Sequence, residues 1–312
     1  MTEPARKATR DAYGEALVEL GKRNGDIVVL DADLSSSTKT SVFAKAFPER
    51  FFNMGISEQD MLGTAAGLAA SGKTPFASSF ALFGTGRAWE QARNDAGRGN
   101  LNVKLACSHA GITVGEDGAS HQCYEDIALM RVIPNFTVIC PADAPEAREA
   151  VFAAAERKGP FYIRLGREAV PVLAEREFEV GKAQLLRDGA DVTVAATGIM
   201  VCEALEAAKA LEKQGISAAV VNVHTIKPLD AKAIAAVAKR TGAVVTAEEH
   251  SIIGGLGGAV AETLGEQCPV PMKRVGIMDV FGESGKAREL MEKYGLTAKN
   301  IAEAAKEAVK RK

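Results

Sequence analysis

Three stretches of the chain combine residue types that do chemistry, and each has a plainer structural use. In FFNMGISEQDMLGTAAGLAASG (51–72), Ser57 and Asp60 have the S-x-x-D spacing of a capping box, and the small residues after them suit a helix. Glu58 then sits in the first helical turn, where a carboxylate either complements the helix dipole, an effect below about 1 kcal/mol, or serves as a functional acid or base. In PFASSFALFGTGRAWEQARND (75–95), Phe76, Phe80 and Phe83 cluster in a chain that is only 5% aromatic. Phe80 and Phe83, three apart, either share a core-facing helical side or present a flat wall to an aromatic heterocycle. SHAGITVGEDGASHQ (108–122) holds His109 and His121, two of the four histidines, with Asp117 among glycines. It is too polar and glycine-rich for a strand or helix and reads as a loop at a strand end, where binding groups collect. Zinc held by His109, His121 and Cys107 or Cys123 is the rival use of this loop, but no recognised zinc spacing occurs.

Positioning these residues falls to short apolar runs alternating with segments of helical period. IVVL (27–30), NVKLAC (102–107), FTVIC (136–140) and FYIRL (161–165) read as buried strands, with helices over 12–20 and 145–157 between them. A second series follows: DVTVAAT (191–197), ISAAVVNV (216–223) and GAVVTAEE (242–249) as strands, with helices over 199–213, 230–240 and 255–266. Between the series, Pro171, Gly181 and alternating charge suit a linker. The expected fold is α/β, two consecutive mostly parallel sheets each covered by helices, with a first domain over 1–172, a linker over 173–190 and a second domain over 191–312. Ligands in such folds bind beyond the carboxyl ends of the strands. The glycine-rich turn EEHSIIGGLGGAV (248–260) misses the dinucleotide fingerprint, because Val260 stands where glycine or alanine is needed, and tight strand–helix packing is its expected use. Phosphate cradling by a P-loop is not expected either.

Composition narrows the partners. The 312 residues are 47% hydrophobic and 25% charged, enough to bury a core. Lysine plus arginine (38) nearly balance aspartate plus glutamate (40), so no field recruits nucleic acid or an anionic membrane. The cationic end Lys310-Arg311-Lys312 reads as a solvated tail. Five cysteines without CxxC spacing suggest reduced thiols, and the charged N-terminus lacks a signal-peptide core, so a soluble cytoplasmic protein is expected.

Taken in order, ISEQD with AAGLA, SSFALF, SHAGITVGEDGASHQ, KPLD and GGLGG resemble the pyrimidine-binding and C-terminal domains of transketolases over nearly the whole chain. The resemblance implies thiamine diphosphate as cofactor, with Glu58 hydrogen-bonded to N1′ of its aminopyrimidine, favouring an imino form whose nitrogen takes the thiazolium C2 proton. It implies that Phe80 and Phe83 line the pyrimidine and that Asp33, from DADLSSS, also faces the cofactor. It further implies sugar-phosphate contacts from Arg10, Ser37, His109, Asp117, His121 and Arg167, with His121 also catalytic. Converging guanidinium, hydroxyl and imidazole groups suit a phosphate. Gly86 departs from the family, some of whose members have a tyrosine there.

No GDG-type segment for Mg²⁺ and the cofactor's diphosphate occurs, so the resemblance implies half a site, completed by a separate N-terminal, diphosphate-binding subunit that ligates the Mg²⁺ in an α2β2 assembly. The implied reaction is transfer of a two-carbon ketol unit between ketose and aldose phosphates. A 1-deoxyxylulose-5-phosphate synthase-like enzyme and a 2-oxo-acid dehydrogenase β-type subunit are the alternatives within the superfamily. A non-catalytic assembly or regulatory subunit is the alternative of another class, against which intact Glu58, His109 and His121 argue.

Overall fold

The computed structural model describes residues 5–174 and 176–312. Its strands are, in chain order, Arg6–Ala8 (β1), Ile27–Asp31 (β2), Phe51–Asn53 (β3), Thr74–Ser78 (β4), Lys104–Cys107 (β5), Thr137–Ile139 (β6) and Phe161–Arg164 (β7). Ala169–Pro171 (β8), Gln184–Arg187 (β9), Val192–Ala196 (β10), Ala218–Asn222 (β11), Thr225–Lys227 (β12), Val244–Ser251 (β13) and Met272–Ile277 (β14) follow. One sheet has the order β12-β6-β7-β5-β4-β2-β3 and the other β14-β13-β10-β11-β9, while β1 and β8 form a small antiparallel ribbon.

Both large sheets are parallel except at one edge, β12 against β6 and β9 against β11. Every residue of β2, β4, β5, β7, β10 and β11 is buried, as apolar strands covered on both faces must be. Helices Thr9–Arg23 and Ala144–Glu156 cover one face of the first sheet through Tyr13, Leu17, Ala147 and Val151. Helix Glu58–Ala70 covers the other through Met61, Leu62 and Ala65. The second sheet lies between helices Met200–Glu212 and Ala298–Val309 on one side and Ala231–Thr241 and Leu256–Gln267 on the other.

Local chemistry sets the helix ends. Asp143 caps the amide of Glu146 with Pro145 in the first turn, and Asp230 caps Ala233. Gly242, at φ 68°, closes the helix that Asp230 opens.

The two halves exchange strands more than the sequence suggests. The expected linker carries β9, which pairs with β11, and β12 from the second half of the chain edges the first sheet. The predicted strand over 102–107 begins only at Lys104, whose buried ammonium donates to the carbonyls of Arg157 (2.8 Å) and Gly159 (2.7 Å). Among the described residues no helix is long and apolar enough to cross a membrane.

Candidate active site

Five adjacent parallel strands of the first sheet, β7-β5-β4-β2-β3, end on the same edge, and the segments leaving them carry nearly all the residues singled out above. Asp33 and Ser37 follow β2, Glu58 follows β3, Phe80 and Phe83 follow β4, His109 to His121 follow β5, and Arg167 follows β7. Arg10 opens the helix that runs back toward β2.

Glu58 is 1% exposed. The helix starts after Ser57 as expected, but Ser57 makes no side-chain cap, and the Glu58 carboxylate turns inward instead of lying at the helix end. It accepts from Ser79 Oγ at 3.4 Å and from Arg87 Nη1 at 2.8 Å. The Arg87 guanidinium also lies over Phe83, 4.7 Å from the ring centroid, with about half its side chain in solvent. A planar cation therefore sits between a buried carboxylate and an aromatic face. Arg87 was not anticipated; it ends a π-helical segment, Leu82–Arg87, whose wider turn no spacing rule for α-helices reads.

The aromatic wall is continuous. Phe80 stacks on His109 with centroids 3.8 Å apart and lies 6.0 Å from Phe83 in near-parallel orientation. His121 meets the Phe83 ring edge-on at 5.5 Å, and its Nδ1 lies 3.0 Å from Ser120 Oγ.

Behind this wall, Arg10 Nη1 donates to the Ser37 carbonyl at 3.0 Å and to His109 Nε2 at 3.2 Å. Arginine offers no acceptor, so Nε2 must be the unprotonated nitrogen and Nδ1–H donates to Ser108 Oγ, 2.8 Å away. Burial, and then Arg10 and Arg167, push the His109 imidazole down to about 3, which keeps it neutral. Both ring nitrogens are thus engaged, one of them by Arg10. His109 and Asp33 hold left-handed backbone, φ 58° and 64°, uncommon outside glycine. Buried Asp31 fixes the loop bearing Asp33 and Ser37 by accepting from the Leu34 amide (2.6 Å), Thr38 Oγ1 (2.6 Å) and Thr40 Oγ1 (2.8 Å). Asp33 itself accepts from Asn53 Nδ2 at 3.0 Å.

Arg167 donates to the Val114 carbonyl, and its Nη1 lies 3.6 Å from Asp117 and 3.7 Å from Glu116. It is close enough to Arg10 to lower that group further below its ordinary value, after burial, which is the larger cause. Among the described residues Arg10 Nε is buried without a partner. Two neighbouring guanidinium groups with an unused N–H suit a tetrahedral oxyanion.

Among the described residues no group of three or more His, Cys, Asp and Glu is placed to hold a metal ion. The literal pattern G-x-x-x-x-G-K-T does occur, as GLAASGKT (67–74), so no absence of pattern supports the expectation of no P-loop. The structure supports it on other grounds. These residues end helix Glu58–Ala70 and enter β4, the reverse of the strand-to-helix order that aims amides at phosphate, and Lys73 pairs with Asp26 at 2.8 Å.

Residues 5–172 match the family model for the transketolase pyrimidine binding domain, and residues 181–301 that for the transketolase C-terminal domain. The putative transketolase C-terminal section of Methanocaldococcus jannaschii is 53% identical over 98% of this chain and 97% of its own length. The 6-deoxy-6-sulfo-D-fructose transketolase subunit of a Clostridium species is 49% identical over 97% of this chain and 95% of its own. A solved structure described as a split gene transketolase, inactive beta4 tetramer, superposes with a TM-score of 0.92 at 58% identity, covering 98% of this chain and 99% of that one. The chain belongs to the transketolase family, whose pyrimidine-binding and C-terminal domains it carries.

Proposed function

We propose that this chain is the C-terminal subunit of a split transketolase, which moves a two-carbon ketol unit between a ketose phosphate and an aldose phosphate. In this reading a separate N-terminal subunit ligates Mg²⁺ and the diphosphate of thiamine diphosphate, and the two associate as α2β2, with a first domain of this chain over 1–172 and a second that takes in β9 from the expected linker. The observation that carries the reading is the buried Glu58 carboxylate facing Phe83 across Arg87. The guanidinium is flat, donates to the carboxylate and lies on the ring, which are the contacts an aminopyrimidine needs there. Arg87, half in solvent, gives up this position when the ring binds. When bound, the cofactor supplies the electron sink for the carbanion left as the ketose is cleaved.

The chain's own residues do the rest. Glu58 would hold the pyrimidine through a hydrogen bond to its ring nitrogen. Phe80 and Phe83 exclude water beside it, with Asp33 at the loop edge. The edge-on contact of His121 with Phe83 supports a role for its imidazole in holding or moving a proton at a substrate oxygen. Arg10, held by Ser37 and His109, joins Arg167 on the anionic end of the sugar, while Asp117, a carboxylate, suits a sugar hydroxyl better than a phosphate. Two guanidinium groups accept a sulfonate as readily as a phosphate, so a sulfonated ketose, as in the name of the Clostridium relative, is the second reading of the substrate.

Mixing the chain with its N-terminal subunit, thiamine diphosphate and Mg²⁺, and following ketol transfer from xylulose 5-phosphate, tests the proposal. Glu58→Ala is expected to lower the rate by about a hundredfold or more. A variant that turns over like the wild type would remove Glu58 from its role, and turnover of pyruvate would favour the superfamily alternatives. The ratio of kcat/KM for phosphorylated and sulfonated ketoses assigns the substrate.

A further inference from the structure

The second domain has no assigned part in the site, yet it grips the site's longest loop. In open α/β sheets the crevice beyond the carboxyl ends of the strands takes the ligand. Between the ends of β10 and β13 and the first domain that crevice narrows beside Thr113. Thr197 Oγ1 donates to the Cys140 carbonyl at 3.2 Å, and the space left among Thr9, Thr113, Arg164 and Glu249 is about 30 Å³, room for little more than a water. The Glu249 carboxylate, on β13 and buried, accepts from the backbone amide of Thr113 at 2.7 Å. Arg164 Nη2 donates to the Glu249 carbonyl at 2.8 Å, so the residue is held from both sides.

The loop is shaped to this grip. Gly111, at φ 86°, passes so close to the Glu249 carboxylate that any Cβ would collide with it. Gly115 lies against the Gly285 carbonyl and Gly118 against Ser284, while Gln122 Nε2 donates to the Glu283 carbonyl at 2.9 Å. Immediately after Thr113 comes Val114, whose carbonyl takes the Arg167 guanidinium.

We propose that Glu249 is a positioning residue: by holding the Thr113 amide it fixes the turn Ile112–Asp117, and through Val114 it sets Arg167 against the anionic group of the substrate. This rests on the reading of Arg10 and Arg167 as the anion site of a transketolase. The second domain then contributes to specificity without touching substrate, through a loop of the first domain held against its strand ends.

The test has two arms. In the reconstituted enzyme, Glu249→Ala is expected to raise KM for a ketose phosphate about tenfold, with kcat and the KM for an unphosphorylated ketose within twofold of wild type. Glu249→Gln, which keeps an acceptor oxygen, is expected to restore the ketose-phosphate KM to within about threefold. Equal loss with both substrates, or no change in the ketose-phosphate KM, would overturn the proposal. Should Glu249→Ala not fold, Glu249→Asp, which withdraws the carboxylate by one methylene, is read the same way. In the chain alone, hydrogen exchange at the Thr113 amide is expected to be slow in wild type and Glu249→Gln, and at least tenfold faster in Glu249→Ala or Glu249→Asp. Equal exchange rates would overturn the grip itself. A wild-type pair without ketol transfer would instead sink the functional reading, and the exchange arm separates the two failures.

Discussion

Burial decides the charge state of two of the four histidines. His109 is held down to about 3 and His224 to about 4, burial being the first cause in each and nearby arginines adding to it. The ordinary imidazole value is near 6.5, so between that and about 3 to 4 the unfolded chain binds more protons than the folded one. These residues therefore contribute stability that is complete above about pH 6.5 and is lost as pH falls toward the folded values. His224→Gln is expected to flatten the fall in urea midpoint between pH 7 and pH 4.5 relative to wild type. Nitrogen NMR is expected to find His109 neutral, with the proton on Nδ1, from pH 5 to pH 9; a titration inside that range would refute the assignment.

At this scale the ordered motifs made Glu58, Phe80, Phe83, His109, His121 and Arg167 legible, and the structure brings them to one edge of the first sheet. Arg87 was not legible, because a pair between residues 58 and 87 arises from β4 and a π-helical turn, neither of which leaves a spacing signature. The GLAASGKT pattern shows the converse, a full motif match whose structural context is reversed.

At the scale of elements, the apolar runs located β2, β5, β6, β7, β10, β11 and β13, since a run covered on both faces needs no alternation to announce it, but not the equally buried central β4. The short edge strands β9 and β12 escaped too, β9 inside the expected linker, because three or four residues pairing at an edge carry little pattern. Lys104 escaped as well: within NVKLAC it reads as a charged residue at a strand margin, yet it is fully buried, and its ammonium lies 4.4 Å from the centre of the Phe161 ring. It ties the start of β5 to the chain leaving helix Ala144–Glu156. Lys104→Met keeps the stem and removes the donors, leaving the carbonyls of Arg157 and Gly159 unmatched. Urea unfolding is expected to show a loss of about 1–3 kcal/mol; an unchanged midpoint would mean that water replaces the ammonium without penalty.

At the scale of the whole molecule, both domains serve one edge. The first supplies the side chains, and the second closes on the loop between Gly111 and Gln122. Beside Glu58 that edge is apolar and open, with Ile56 78% exposed and Phe52 40% exposed. In the proposed assembly these face the N-terminal subunit. Ile56→Asp is expected to weaken association at least tenfold by sedimentation, while the isolated chain keeps its unfolding midpoint; undiminished association would place the subunit elsewhere. A chain read alone shows such a surface only as an exposed isoleucine in GISEQD, and nothing in that string says what covers it.

The most direct test is calorimetric titration of thiamine diphosphate into the mixed subunits with Mg²⁺, for wild type and for Glu58→Ala. The expected result is saturable heat at one cofactor per pair of chains, with affinity at least tenfold weaker in the variant. A wild-type pair that takes up no cofactor, or a variant with the same isotherm, would contradict the assignment of Glu58.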